Sequence, residues 1–144
     1  MIISPEDAKH RINVLIDKSI SFVWRGDGSA IFIEIGELTG DESNEQPRGE
    51  YTIMVEWSWR VDNQSEIIVG SWSDDELISN VPKLLLGLKI KSIEFWGRLS
   101  EISIQFSNET WFTSFMTSDG DPKWSIRFPD SKWLSYANAT FQIE

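Results

Sequence analysis

The sequence predicts an α+β fold that is mostly antiparallel β-sheet with two short helices. Much of the chain alternates apolar and polar residues, as in Ile31 to Ile35, and turn-forming Gly, Asp and Asn separate these runs. Helical spacing occurs near the N-terminus and again before Leu85. A length of 144 residues is typical of one domain. We therefore expect residues 1–144 to fold as a single domain.

The first helix is predicted over residues 5–16. Ser4 is a typical N-cap, and Pro5 suits the first helical position because its missing N–H has no partner there. Apolar residues then recur at helical spacing up to Ile16. Alternation in residues 20–24 and 31–35, around the turn at 25–28, predicts a β-hairpin after this helix.

A strand is predicted over residues 51–61, after a long polar loop that ends at Gly49. One face of this strand is apolar and is expected to be buried: Tyr51, Ile53, Val55, Trp57, Trp59 and Val61. A strand near residues 66–72 should pair with it across the turn at 62–64.

The second helix is predicted to begin at the sequence Ser73-Asp74-Asp75-Glu76. Ser73 followed by Glu76 three residues later is the capping-box pattern, in which each side chain bonds the backbone N–H of the other residue. The helix is expected to run toward Leu85.

Residues 15–80 and 85–144 resemble each other. Three short matches occur in the same order: residues 18–22 with 91–95, 30–34 with 101–105, and 57–62 with 124–130. One interpretation is an internal repeat, in which two helix-plus-strands halves pack as one domain. The other is that short alternating strands resemble one another by necessity. Both interpretations stand at the sequence level.

Negative charge is concentrated in the first half of the chain. Residues 1–80 hold 16 Asp and Glu against six Lys and Arg, a difference of −10, whereas residues 81–144 hold seven of each. Such a surface attracts a basic protein and repels phosphate, so we expect no nucleic-acid partner.

The composition also favours a cytoplasmic location. The chain has no cysteine, which excludes disulfides and thiol nucleophiles and fits a reducing compartment. The N-terminal residues lack the basic and apolar regions of a signal peptide. Its apolar runs are far shorter than the roughly 20 residues that cross a bilayer, so we expect no membrane partner.

The sequence offers little for catalysis or for a cofactor. His10 is the only histidine and lies on the polar side of the first helix, and Asp119-Gly120-Asp121 lacks the remaining ligands of a calcium loop. Neither a metal site nor a bound cofactor is predicted. Glu34 and Glu56 could form an acid–base pair, but a salt bridge between Glu56 and Arg60 is the favoured interpretation.

The composition is also unusual in its tryptophan content, with eight tryptophans in 144 residues. Most should be buried, because exposure of an indole is costly. Trp72, Trp96 and Trp133 lie at predicted strand ends or turns, where a ring can stack on a sugar or anchor a protein interface. Core packing remains the favoured interpretation for each of them.

Several motifs resemble those of a group of small uncharacterised bacterial proteins. The resemblance spans most of residues 15–130, and it implies no activity. It is carried by Leu15-Ile16-Asp17-Lys18, Gly28-Ser29 before Phe32-Ile33-Glu34-Ile35-Gly36-Glu37, Arg48-Gly49-Glu50-Tyr51, Trp57-Ser58-Trp59-Arg60, Leu85-Leu86-Gly87 and Trp124-Ser125-Ile126. In general character, as a small, acidic, β-rich chain, it is also similar to immunity proteins of toxin-delivery systems, including contact-dependent growth inhibition.

The leading hypothesis is therefore a non-enzymatic binding protein that neutralises a toxin domain, such as a basic nuclease. Acidic side chains would cover the toxin's basic surface, and an aromatic anchor would slow dissociation. The predicted partner-binding residues are Asp41, Glu42, Glu45, Trp72, Asp74, Asp75 and Glu76. Two alternatives belong to other classes: a carbohydrate-binding or other small-ligand-binding β domain, and a small hydrolase that uses Glu34 and Glu56.

Overall fold

The protein consists of two antiparallel sheets and three short helices in a computed structural model that describes residues 1–40 and 46–144. The prediction of a mostly antiparallel β fold is confirmed. The strands in these residues are β1 Ile2–Ile3, β2 Ile20–Arg25, β3 Ile31–Ile35, β4 Tyr51–Val55, β5 Trp59–Asp62, β6 Ile67–Gly70, β7 Ile90–Trp96, β8 Glu101–Phe106, β9 Trp111–Ser114, β10 Trp124–Arg127, β11 Trp133–Ala137 and β12 Thr140–Ile143. The helices are α1 Pro5–Ile12, α2 Asp75–Ser79 and α3 Val81–Leu85.

Each sheet takes strands from both halves of the chain. The seven-stranded sheet has the order β1-β12-β11-β10-β4-β3-β2, and the five-stranded sheet has the order β6-β5-β9-β8-β7. The chain crosses between the sheets after β4 and again after β9. Because β10 pairs with β4 and β5 pairs with β9, neither sheet forms from one contiguous segment. One apolar cluster includes buried residues of both sheets, such as Ile53 and Phe112.

The two sheets are also joined where β2 and β7 begin. Ser19 and Lys89 form an antiparallel bridge just before these strands. The Ile20 N–H donates to the Leu88 carbonyl at 2.8 Å, and the Ile90 N–H donates to the Lys18 carbonyl at 2.9 Å. These bonds satisfy backbone groups at two strand ends that would otherwise need water.

Helix α1 begins as predicted but ends earlier. The Ser4 hydroxyl accepts a hydrogen bond from the Asp7 N–H at 3.1 Å, which confirms the N-cap. The helix ends at Ile12 and continues as a 3₁₀ turn over Asn13–Leu15. Leu15 is fully buried, whereas Ile16, which the helical pattern included, is exposed.

The predicted second helix is two helices of five residues each. Pro82 lies in the first turn of α3 and has no N–H to donate to the preceding turn, so a continuous helix is interrupted at Asn80. The predicted capping box is also wrong. Asp74 is the N-cap residue and makes no side-chain cap bond, while the Ser73 hydroxyl instead accepts from the Gly70 N–H at 2.9 Å.

The predicted strand over residues 51–61 is two strands in different sheets. Strand β4 ends at Val55 and β5 begins at Trp59. Between them Ser58 adopts a φ of 65°, in the left-handed region, and its hydroxyl lies 2.8 Å from that of Thr117. The chain turns here, so Trp57 is 44% exposed although the alternation predicted it to be buried beside Trp59. The predicted pairing with the following strand is confirmed, because β5 pairs with β6.

Trp59 and Trp124 have similar positions in the two sheets. Each begins the strand that follows a crossing, and each is almost fully buried. The Trp59 indole N–H donates to the Ser29 carbonyl at 2.7 Å, and the Trp124 indole N–H donates to the Ser100 carbonyl at 3.0 Å. The sequence match instead aligned Trp57 with Trp124, two residues away. The internal repeat itself stays a prediction.

Replacing Trp124 with Phe is expected to lower the free energy of unfolding by about 1–3 kcal/mol, because the Ser100 carbonyl loses its donor. The control Trp96→Phe changes an indole that is 39% exposed, and its effect should stay within about 0.5 kcal/mol. Urea denaturation measures both. Equal losses in the two variants would show that the indole–carbonyl bond contributes nothing specific.

Candidate functional site

The described residues form a groove of about 710 Å³. It lies where the β2–β3 turn, the end of β4, the segment after β6 and helix α2 come together. We call it the Trp57–Trp72 groove. It is lined by Arg25, Asp27, Gly28, Ser29, Ala30, Phe32, Met54, Glu56, Trp57, Ser71, Trp72, Ile78 and Lys123.

Two exposed tryptophans are the most unusual part of this lining. Trp57 is 44% exposed and Trp72 is 84% exposed, the highest value among the large apolar side chains in residues 1–40 and 46–144. The backbone on each side of Trp72 is fixed, because the Ser71 N–H donates to the Trp59 carbonyl at 2.9 Å and the Ser73 N–H to the Gly70 carbonyl at 3.0 Å. The exposed ring of Trp72 therefore projects from a well-defined turn.

Arg25 connects the hairpin side of the groove to helix α2. Its Nε donates to the Gly28 carbonyl at 2.7 Å, and its Nη1 donates to the Ser79 hydroxyl at 2.8 Å. Its Nη2 forms an ion pair with the Asp75 carboxylate at 2.7 Å. Residues 50 positions apart in sequence are thereby held together at one end of the groove.

The charge of the groove and its rim is mainly negative. Asp27 and Glu56 are exposed lining residues, and neither forms an ion pair with any residue in the described part of the chain. Asp74, Asp75 and Glu76 are also exposed, and in the sequence they stand between two lining residues, Trp72 and Ile78. Five carboxylates thus accompany two cations, Arg25 and Lys123, and Asp75 already pairs with Arg25.

Of the predicted site residues that the structure describes, Trp72 lines the groove and Asp75 pairs with the lining residue Arg25. Asp74 and Glu76 are exposed on either side of Asp75 and do not line the groove. Asp41, Glu42 and Glu45 lie outside the described residues. Trp57, which was predicted to be buried, also belongs to the groove.

Glu34 and Glu56 are not neighbours. Strand register places Glu34 opposite Thr52, four residues before Glu56, and the two carboxylates line different cavities. The predicted salt bridge between Glu56 and Arg60 is also wrong. Arg60 pairs with Asp62 instead, at 2.8 Å, because both side chains lie on the same face of the short strand β5.

Glu34 instead belongs to a buried polar network on the outer face of the seven-stranded sheet. It is 2% exposed, and its carboxylate accepts hydrogen bonds from the Trp24 indole at 3.0 Å, the Gly49 N–H at 3.1 Å and the Thr52 hydroxyl. Arg127 donates to the Gly49 carbonyl at 2.6 Å and to the Thr52 hydroxyl at 3.2 Å. The network therefore holds Gly49 against the sheet from both its N–H and its carbonyl.

Burial lowers the pKa of Arg127 below its ordinary value, and the nearby charge of Arg48 lowers this pKa further, whereas Glu34 raises it. The guanidinium nevertheless stays charged at neutral pH, because the ordinary pKa of an arginine side chain lies far above neutrality. A buried positive charge requires a negative charge nearby, and Glu34 supplies it. The Thr52 hydroxyl bridges the two groups, because it accepts a hydrogen bond from Arg127 and donates one to the Glu34 carboxylate.

Two other kinds of functional feature are absent from the described residues. No helix in residues 1–40 and 46–144 has the length and apolar character that a bilayer crossing requires. In the same residues, no three His, Asp or Glu side chains come together in an arrangement that could hold a metal ion.

Comparison with known proteins identifies no relative. No family model, no curated protein and no solved structure matches the chain. The function of the groove must therefore be inferred from its own residues.

Glu34→Gln is expected to lower the free energy of unfolding by about 3 kcal/mol, because it leaves Arg127 buried without an opposite charge. Glu56→Gln is the matched control, since Glu56 is exposed and unpaired in the described residues, and it should change stability by less than about 0.5 kcal/mol. Thermal and urea denaturation provide the measurement. A neutral Glu34→Gln variant would contradict the role assigned to the carboxylate.

Proposed function

We propose that this chain is a binding protein that neutralises a basic toxin domain, in the manner of an immunity protein. The Trp57–Trp72 groove and the acidic residues around it would cover a basic active-site or substrate-binding surface of that domain. The observation that carries the proposal is the pair of exposed tryptophans in one groove with an acidic rim.

Exposed tryptophan favours a protein interface. A ring that is 84% exposed loses the favourable burial that an indole normally gains on folding, and a partner that covers it supplies that burial instead. Tryptophan is among the residues that contribute most to binding energy at protein interfaces. Trp72 would therefore be the anchor that slows dissociation.

Charge would act mainly on the rate of association. Every residue that lines the groove, except Lys123, belongs to residues 1–80, in which acidic residues outnumber basic ones by ten. Such a one-sided field attracts a basic surface over a distance set by the ionic strength, about 10 Å at 0.1 M salt. Asp41, Glu42 and Glu45 enter the proposal on their charge alone, because they lie outside the described residues.

The proposal includes the internal repeat. We infer that residues 15–80 and 85–144 are two copies of one helix-plus-strands unit, of which the acidic copy binds the partner. The matching indole-to-serine bonds of Trp59 and Trp124 support it. So does the strand order, because β2-β3-β4 is extended by β10 just as β7-β8-β9 is extended by β5.

A carbohydrate-binding domain is the second candidate, because exposed tryptophan rings also stack on sugars. It makes a different prediction about salt: stacking and neutral hydrogen bonds persist at high ionic strength, whereas charge pairing weakens. A hydrolase that pairs Glu34 with Glu56 is disfavoured, because the two carboxylates line different cavities.

The test uses the purified chain, immobilised, to capture the protein that the adjacent upstream gene encodes. Capture is measured at about 50 mM and at about 500 mM salt. We expect capture at low salt that weakens at high salt. Trp72→Ala should reduce it at both, because it removes the apolar anchor. The charge reversal D74K/E76K should reduce it mainly at low salt, because it removes attraction that high salt already screens.

The matched control is D119K/D121K, which reverses two exposed aspartates in the second half of the chain. It should leave capture unchanged. Absence of capture at low salt, or capture that is equally weakened by both charge reversals, would contradict the proposed function.

A further inference from the structure

We propose that the Trp57–Trp72 groove binds a lysine or arginine side chain of its partner, with the cation seated against the tryptophan rings and the carboxylates of Asp27 and Glu56. This inference rests on the proposed function, since it specifies the chemistry by which a basic partner is held. An aromatic face attracts a cation through its quadrupole, and a nearby carboxylate adds charge pairing.

The carboxylates of the groove are placed for an external cation. Asp27 lies in the β2–β3 turn and Glu56 directly after β4, and both line the groove with Trp57 and Trp72. The backbone of Glu56 is fixed by its N–H, which donates to the Lys123 carbonyl at 2.9 Å. The described residues supply neither carboxylate with an ion-pair partner.

Arg25, one of the two cations that line the groove, already has partners within the protein. Arg25 donates to the Gly28 carbonyl and to the Ser79 hydroxyl, and it pairs with Asp75. Its guanidinium is therefore oriented toward the turn and helix α2, and the charge of Asp75 compensates its own. Lys123 is the other lining cation, and it should oppose binding of a third positive charge.

The tryptophan faces are also unoccupied by the protein's own cations. In residues 1–40 and 46–144, cations lie over Phe128, Tyr51 and Phe115, at 5.5, 5.4 and 4.8 Å from the ring centres. None of these contacts uses Trp57 or Trp72. The two largest aromatic faces of the groove remain available to a partner.

The neighbouring sheet edge favours side-chain recognition over strand addition. Strand β6 is the edge strand next to Trp72. Its Gly70 N–H donates to the Ser73 hydroxyl at 2.9 Å, and its carbonyl accepts from the Ser73 N–H at 3.0 Å. Because Gly70 already has partners for both groups, a partner strand cannot pair with it.

The test is an NMR titration of the full chain in which the indole N–H signals of Trp57 and Trp72 are assigned with single Trp→Phe variants. The probes are acetyl-Gly-Arg-Gly-amide, the same peptide with Lys, and the same peptide with citrulline, which keeps the shape of arginine without its charge. We expect both signals to shift with the Arg and Lys peptides and the citrulline peptide to bind about fivefold more weakly or worse.

The charge variants should act in opposite directions. Glu56→Gln is expected to weaken binding of the Arg peptide about three- to fivefold, whereas Lys123→Met is expected to strengthen it about two- to threefold. Trp96→Ala, which removes an exposed tryptophan that does not line the groove, should leave the affinity unchanged. Trp72→Ala should abolish the shift of the Trp57 signal, and retained native spectra confirm that each variant is folded.

Three outcomes would overturn the inference: equal binding of the citrulline peptide, shifts caused by maltose or cellobiose rather than by the peptides, or shifts that follow protein concentration and indicate a second copy in the groove. The two proposals can fail separately. Toxin capture that survives Trp57→Ala and Glu56→Gln would overturn the cation site alone. Binding of the Arg peptide without toxin capture would overturn the toxin partner alone.

Discussion

The structure depends on the two points at which the chain leaves one sheet and enters the other. At each crossing a buried tryptophan begins the new strand and donates its indole N–H to a backbone carbonyl in the turn of a neighbouring hairpin. This bond joins the crossing strand to a hairpin of the other sheet. Because each sheet is completed by strands from the other half, neither half can bury its apolar face without its counterpart.

The first crossing also creates the groove. A strand that continued straight past Val55 would keep Trp57 in the core, whereas the left-handed backbone at Ser58 redirects the chain and leaves that ring at the surface. The segment after β6 then returns beside it with Trp72. The change of sheet, which the fold requires, therefore leaves Trp57 exposed in the same groove as Trp72.

Alternation in the sequence predicted the first hairpin and the pairing of β5 with β6, because each has one buried face. It failed at residues 51–61, since the two-residue period continues through the turn and no residue type marks the corner. The interruption at Pro82 was readable in principle, because proline lacks the N–H that a continuous helix requires there. The burial of Glu34 and Arg127 could not be predicted from the sequence. It depends on hydrogen bonds to Gly49, which is distant in sequence from both residues.

The two hydrogen bonds between Gly70 and Ser73 also affect solubility at high concentration. An exposed edge strand with two large apolar residues, Ile67 and Ile68, resembles a template on which further chains could stack into fibrils. Because Gly70 already uses both its N–H and its carbonyl, only residues 67–69 of β6 remain open to another strand. Stacking of further copies on this edge of the five-stranded sheet is therefore disfavoured.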